Sequence, residues 1–408
     1  MNKKKRVLII ITLLLAASAA AFGVYKSEQA RISEKANPAG TEAVTAEEAG
    51  DAEAGGRAEA PEPLATVFFA SDYQLEPGLT EPADNLSGIL SAAKADGKDV
   101  KKAVMCGDYT NDPKLYDYQI SPDDSIEEAR GVISSVYPEM GTGDMMFVQG
   151  NHDRMTDRIT ARGLHEEGDY LIYVLNTEED FPWKQGKTAG SLAKVRKSSA
   201  EMKECFDGLI EKGETRPVFI AGHVPLHFTA RTSSRHGSGD NLYSSLIFDV
   251  VNEAADSLDI VYLYGHNHSK GWDCYMGGSS VFKAPGDSLL IPEFEESDIT
   301  TDKYREETLK FTYMNAGYTG YYMNCGPEEY EAGERESYNA ADVTLTGTVL
   351  EIYPDRITAT RYDADGRHVL GHAGEADPYK GGIDAGLIGE EHYSTETPGP
   401  REIRRKSF

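Results

Sequence analysis

The sequence predicts an α/β fold organised around a largely parallel sheet. Two patterns predict it. Between residues 66 and 263, short apolar runs alternate with segments whose apolar residues recur at helical spacing, as strands joined by helical crossovers do. A short polar motif carrying Asp, Asn or His then follows five of those runs, at the strand ends where open α/β sheets bind ligands.

Thr66 to Ala70 is the first strand, a mostly apolar run suited to burial on both faces. From Asn85 to Ala95, Leu86, Ile89, Leu90 and Ala93 mark one helical face. Lys102 to Cys106 is the second strand and Ser125 to Tyr137 the second helix. Met145 to Val148 and Leu171 to Leu175 are the third and fourth strands. A long polar helix from Ser191 to Lys212, a strand from Pro217 to Ile220, a helix from Leu242 to Ala255 and a strand from Ile260 to Leu263 complete the alternation. Beyond residue 268 the pattern changes. Val281-Phe282, Leu289 to Ile291, Leu309 to Met314, Val343 to Ile352 and Arg356 to Tyr362 are strand-like with no helix between them. Val343 to Ile352 alternates with period two, as a half-exposed antiparallel strand does. One domain from 64 to 363, closing as a β-meander, is expected, with a loosely ordered Gly-, Pro- and charge-rich tail over 364–408.

The N-terminus carries a targeting signal. Lys3-Lys4-Lys5-Arg6 precedes 19 uncharged, mostly apolar residues, Val7 to Tyr25. Positive charge before such a run directs the downstream chain outward. Residues 1–25 are a signal peptide or an N-terminal membrane anchor. The length favours an anchor, while Ala17-Ser18-Ala19-Ala20-Ala21 suits a signal peptidase. Residues 26–63, rich in Ala, Glu, Gly and Pro from Ala36 on, form an acidic tether that cannot bury enough apolar surface to order itself. The chain is thus expected on the outer face of the cell membrane or secreted.

Acidic residues number 68 against 41 basic ones, a formal charge of −27. That excludes a broad nucleic-acid surface. It leaves a phosphate substrate open, because bound cations reverse the field locally. The four cysteines, Cys106, Cys205, Cys274 and Cys325, form no CxxC pair, so neither a zinc ribbon nor a redox motif is present. Cys106 lies within an apolar run and reads as core; a disulfide among the others remains open.

The polar motifs carry the chemistry. Asp72 and Gln74 follow the first strand, Gly107-Asp108 the second and Gly150-Asn151-His152-Asp153 the third. Gly222-His223 follows Val218 to Ala221, and Gly265-His266-Asn267-His268 follows the last run of the alternation. Seven of the ten histidines fall between 152 and 268. The set offers hard oxygen and imidazole nitrogen without thiolate, which suits Mn, Fe, Zn or Mg.

In this order the motifs resemble those of the calcineurin-like metallophosphoesterases, over residues 66 to 318. Asn315-Ala316-Gly317 is similar to the Asn-x-Gly turn that follows the last metal motif of that family. The resemblance implies a β-sandwich of two mixed sheets flanked by helices, four layers α/β/β/α. It implies two divalent metal ions and hydrolysis of a phosphomono- or diester by a bridging hydroxide. Carried over by position, Asp72, Gln74, Asp108 and His268 would hold one metal. Asp108, Asn151, His223 and His266 would hold the other, with Asp108 bridging. His152 would protonate the leaving oxygen, with Asp153 orienting its ring. Gln74 departs from the His more usual in the family. An amide oxygen still ligates, as in branches similar to the manganese-dependent ADP-ribose and CDP-alcohol diphosphatases, but loss of an imidazole weakens that metal site or biases it toward harder ions.

His227 is expected to pack its loop, with substrate contact as the alternative, and a basic loop with Arg231, Arg235 and His236 either is a mobile basic loop or binds a second phosphate or anionic group of the substrate. Tyr313, Tyr318, Tyr321 and Tyr322 are expected to pack their strands, with an aromatic wall for a base or sugar as the alternative. The expected partner is a small phosphorylated substrate. The rival functions are a nucleotide-type diphosphatase, a 5′-nucleotidase-like enzyme, which the short stretch after 363 disfavours, and an inactive metal-stabilised binding protein. Retention of His152 and of six of the seven usual ligand types disfavours the last.

Overall fold

The computed structural model describes residues 61–76, 78, 80–110, 120–182, 189–227, 241–266, 282–293, 304–320, 346–364 and 400–406. The N-terminal segment, Asn267, His268, Arg231, Arg235, His236, Cys274, Cys325, Tyr321 and Tyr322 lie outside them. No helix among the described residues is long and apolar enough to cross a membrane.

Two mixed sheets form the centre. The first runs β15 (Arg401–Arg404), β14 (Arg356–Asp363), β13 (Thr346–Ile352), β1 (Ala65–Ala70), β2 (Lys102–Met105), β3 (Met145–Phe147), with β12 (Gly317–Tyr318) also on β13. The second runs β4 (Gly163–Glu167), β5 (Tyr170–Val174), β6 (Val218–Ala221), β7 (Ile260–Tyr264), β11 (Thr312–Asn315), β8 (Phe282–Lys283). β9 (Ser288–Pro292) and β10 (Tyr304–Thr308) make a separate antiparallel pair. β1, β2 and β3 are mutually parallel, as are β5, β6, β7 and β11.

Both faces of each sheet are buried, and the period-two alternation of strand side chains assigns each residue its layer. Val67 and Phe69 of β1, Val104 of β2 and Met146 of β3 pack with Ile172, Val174, Phe219, Val261, Leu263 and Met314 of the second sheet. Phe69 and Phe219 meet edge to face at 5.8 Å across that layer. The intervening residues turn the other way. Phe68, Ala103, Met105 and Phe147 pack against α1 (Glu81–Ala95) and α2 (Pro122–Val136). Leu171, Tyr173, Ile220 and Tyr262 pack with Val195, Met202 and Phe206 of α4 (Ala189–Glu211) and Ile247, Phe248 and Val251 of α5 (Ser244–Ala254). The result is the four-layer α/β/β/α sandwich that the motif order implies. Each large apolar side chain taken from water contributes about 1.5–3 kcal/mol, so three such layers dominate the stability.

The helices begin where local chemistry starts them. Ser121 caps α2 by accepting from Asp124 N–H at 3.1 Å, with Pro122, Asp123 and Asp124 in the first turn. α1 begins at Glu81, earlier than apolar spacing indicates, because Pro82 and the acidic first turn extend it.

The chain's close differs from a simple meander. β11 lies parallel to β7, so the antiparallel run at the close is β12, β13, β14 and β15, beside the separate β8–β11 and β9–β10 pairs. β4, β10, β15 and the short α3 (Thr177–Asp180) are additions to the expected elements. The strands among them are charged and half exposed, so they lack the apolar signature that marks the core strands. β15 brings part of the tail beyond 363 onto the first sheet.

Candidate metal centre

The parallel strands β1, β2, β3, β6 and β7 all deliver a nominated residue just past their C-terminal ends. The loops after β1 and β2 run on side by side: Asp72 N–H donates to Gly107 O at 2.9 Å and Gln74 N–H to Asp108 O at 3.0 Å. The second sheet is tied to the first through the same point, where His266 N–H donates to the Asp72 carboxylate at 2.9 Å. That approach needs glycine beside it. A Cβ on Gly265 would stand 1.7 Å from Ser71 Oγ, and one on Gly150 would stand 2.1 Å from Asp108 Oδ1. These glycines serve contact between loops.

Among the described residues, the non-glycine residues with positive φ are Asp72 (54°), Gln74 (46°), Asp108 (56°) and His266 (69°). All four are nominated ligands. Left-handed backbone at such residues costs of order 1–3 kcal/mol each and persists where surrounding structure enforces it, typically at functional sites.

Four ligand-type atoms converge. His223 Nε2 lies 3.2 Å from Asp108 Oδ2 and 2.9 Å from Asn151 Oδ1. His266 Nδ1 lies 2.8 Å from Asn151 Oδ1 and 3.3 Å from His223 Nε2. Asp108, His223 and His266 make a buried group able to hold one metal ion. Atoms bound cis to a metal at about 2.1 Å stand about 3.0 Å apart, the spacing seen here. The tautomer also fits. His223 Nδ1 donates to Cys106 O at 2.8 Å, which turns Nε2 toward the Asp108 carboxylate. Nε2 is then the ring atom that holds either a proton shared with that carboxylate or a metal ion.

The electrostatics agree. Burial would raise the Asp108 carboxyl, but His223 and His152 hold it well below the usual carboxylate range. Burial would lower the His223 imidazole, yet the Asp108 and Asp72 charges raise it to about 9. In the protein alone that proton balances the carboxylates; a bound metal would displace it.

The second ligand group is present in part. Asp72 and Gln74 are buried beside Asp108, and the Gln74 amide oxygen lies 3.4 Å from the Tyr318 hydroxyl; His268 is outside the described residues. Asn315 Oδ1 accepts from Gly317 N–H at 2.8 Å, closing the Asn-x-Gly turn, and Asn315 Nδ2 donates to Gly265 O at 3.4 Å.

His152 stands at the rim, its side chain 15 % exposed and its Nε2 3.7 Å from Asp108 Oδ2. Its backbone N–H donates to Asp108 Oδ1 at 2.9 Å. Asp153 corrects the sequence expectation. Its carboxylate does not orient the His152 ring. It accepts the backbone N–H groups of Asp108, Tyr109 and Gly150 at 2.8, 2.9 and 2.8 Å. Burial and the Asp108 charge push its carboxyl up to about 7. Asp153 is therefore the peg that fixes the Asp108 loop against the Asn151 loop.

His227 packs its loop, and the alternative of a substrate contact falls away. It is buried, its Nδ1 lies 2.8 Å from the Tyr313 hydroxyl, and its ring packs edge-on against Tyr264 and Tyr313. Tyr313 belongs to the helix-side core, and its hydroxyl accepts Leu226 N–H at 2.9 Å. Both hold the loop behind His223 and neither lines a substrate wall. Sequence reasoning missed Ser71, whose hydroxyl donates to Cys106 O at 2.8 Å, and the Cys106 carbonyl itself. Backbone acceptors carry no residue signature, so only Ser71, adjacent to Asp72, offered a clue.

No family model matches the chain, and no curated protein matches it. Among solved structures it is similar to a dimetal phosphatase from Danio rerio at 10 % identity, covering 74 % of this chain and 97 % of that one, with a TM-score of 0.44. It is similar to a purple acid phosphatase from yellow lupin seeds at 11 % identity, covering 76 % of this chain and 53 % of that one, with a TM-score of 0.41. This chain thus spans about half of the lupin protein. A predicted phosphoesterase from Streptococcus pneumoniae is similar at 11 % identity, covering 84 % of this chain and 98 % of that one, with a TM-score of 0.31.

Proposed function

We propose that the chain is a dinuclear metal-dependent phosphoesterase of the calcineurin-like class, hydrolysing a phosphomono- or diester. The observation that carries this reading is the convergence of Asp108, Asn151, His223 and His266 at ligand spacing, at the C-terminal ends of parallel strands, with Asp108 and His266 on left-handed backbone. Asp108, Asn151, His223 and His266 would hold one cation, and Asp72, Gln74, Asp108 and His268 the other. Divalent cations there supply charge neutralisation for the phosphoryl group and lower the pKa of a water nucleophile to near neutrality.

The chain's own residues do the rest. Asp153 holds the Asp108 and Asn151 loops at one spacing, so the ligand atoms are preorganised. The Cys106 carbonyl keeps the His223 tautomer that presents Nε2 to the site. In hydrolysis a water oxygen bonds to phosphorus, the bond from phosphorus to the leaving oxygen breaks, and that oxygen takes a proton from His152. His152 suits the role because its ring is partly exposed yet held against Asp108 by its own backbone. Such acid catalysis is worth about 10²–10⁴-fold. Lys3 to Arg6 ahead of Val7 to Tyr25 supports export with the enzyme held at the membrane's outer face, or secreted.

The test uses the full-length protein, its bound metal quantified, with p-nitrophenyl phosphate and its bis ester as substrates. About two metals per chain, with turnover abolished in Asp108→Asn, is the expected result. No bound metal and no turnover with Mn, Fe, Zn or Mg would overturn the enzyme reading.

A further inference from the structure

We infer that Arg154 binds a second anionic group on the leaving-group side of the substrate, so that the preferred substrates are diphosphates over simple monoesters. This deepens the phosphoesterase reading and rests on it, because His152 identifies which side the leaving group occupies.

The first support is placement. Asp153 is drawn inward by three backbone N–H groups, and His152 and Arg154 flank it in the chain. His152 lies at the rim beside Asp108, and Arg154 is exposed. Two residues of extended chain span at most about 7 Å. Arg154 therefore stands one short step beyond the group assigned to protonate the leaving oxygen.

The second support is that Arg154 makes no ion pair or hydrogen bond among the described residues. Further along the same segment, Arg158 pairs with Glu127, and Arg162 pairs with Asp180 at 3.0 Å and Glu201 at 2.9 Å. In a chain with 68 acidic residues against 41 basic ones, an arginine left without a carboxylate stands out. Two residues from His152, it would offer its charge to an anionic substrate. Met155, next along, is 44 % exposed, so an apolar surface adjoins the cation.

The third support is chemistry. A guanidinium presents a planar fork that matches phosphate oxygens two at a time. The cations would engage the phosphoryl group being transferred. An anion on the leaving group would fall to a side chain beyond His152, and Arg154 is an exposed arginine two residues on. A carboxylate on the leaving group offers a similar pair of oxygens, so the experiment includes one.

The test compares metal-loaded full-length wild type, Arg154→Gln and Arg154→Lys on p-nitrophenyl phosphate, ADP and 2-phosphoglycolate. Competition by pyrophosphate and by orthophosphate is measured alongside as a binding readout. In Arg154→Gln the KM for ADP should rise at least about tenfold more than the KM for p-nitrophenyl phosphate, as loss of a charged hydrogen-bonding partner implies. Arg154→Lys should recover part of that loss, and Arg154→Gln should lose most of the preference for pyrophosphate over orthophosphate. A matching rise for 2-phosphoglycolate would extend the assignment to anionic leaving groups in general. Equal changes for p-nitrophenyl phosphate and ADP, with the pyrophosphate preference intact, would overturn the role of Arg154 while leaving the phosphoesterase standing. Absence of turnover on every substrate would remove the phosphoesterase, and direct binding of pyrophosphate to wild type and Arg154→Gln, measured by calorimetry, would still decide whether Arg154 binds anions.

Discussion

Asp153 and His152 are adjacent in sequence and do different work. The buried Asp153 carboxylate satisfies three backbone donors drawn from two loops. Asp153→Ala would leave those donors buried without a partner, at about 1–3 kcal/mol for each one that water cannot reach. It should lower the urea midpoint and release metal together. His152 meets the rest of the site through its backbone N–H and the edge of its ring. His152→Ala should hold metal and keep the wild-type midpoint, while turnover falls about 10²–10⁴-fold. Equal loss of metal in both variants would show that His152 is a ligand. The four left-handed residues Asp72, Gln74, Asp108 and His266 put the local cost of the fold at the same atoms that would perform the chemistry.

Secondary elements position the site from behind as well as from its edge. The loop after β6 carries His223 into the centre and His227 back into the core, where His227 meets the Tyr313 hydroxyl of β11. Burial, with Lys283 and His266 nearby, lowers the His227 imidazole from 6.5 to about 3. The unfolded chain therefore binds a proton that the folded chain refuses. Its contribution to stability is whole above the unfolded value of 6.5 and is lost as pH falls toward 3. Between pH 7 and pH 5 the loss from this one group should be about 2 kcal/mol. Urea unfolding of wild type and His227→Gln at the two pH values measures it, and an unchanged pH slope in the variant would remove His227 as the cause.

Across the whole domain, the two ends of the parallel strands have separate tasks. Their C-terminal ends gather the candidate ligands. At the opposite end the chain terminus acts as a clasp. β15 pairs with β14 on the first sheet. Arg405 and Lys406 then reach the second sheet, where Arg405 Nε lies 3.4 Å from Asp259 Oδ2 and Lys406 N–H donates to Asp259 Oδ1 at 2.7 Å, just ahead of β7. Arg405 also donates to Thr215 O, ahead of β6, and to Tyr353 O at 3.0 Å. Deleting residues 400–408 would uncover the β14 edge and separate these ties. A loss of a few kcal/mol, read as a lower Tm, is expected, with metal content per folded chain retained because the ligands sit at the far end of the strands. Loss of metal in the folded truncated protein would show that the clasp also sets the spacing of the sheets at the site.

The sequence by itself determined the alternation of strands and helices, the core strands and the residues that meet at the site. Apolar periodicity and Gly-flanked Asp, Asn and His motifs are local signals, and each is written in consecutive residues. Asp72, Asp108, Asn151, His223 and His266 could therefore be named before their distances were known. Tertiary structure alone decided what those residues touch. It turned Asp153 from a partner of the His152 ring into a peg between loops, because its acceptors are satisfied by backbone N–H groups from 44 and 45 residues away as well as from Gly150. It settled His227 and Tyr313 as packing residues over their alternative as substrate contacts, and it recruited β4, β10 and β15, whose half-exposed charged residues carry no apolar pattern. Backbone partners and strand edges depend on which segments meet in space, and that is decided by the joint burial of two sheets and the helices packed on them, not by any single stretch of chain.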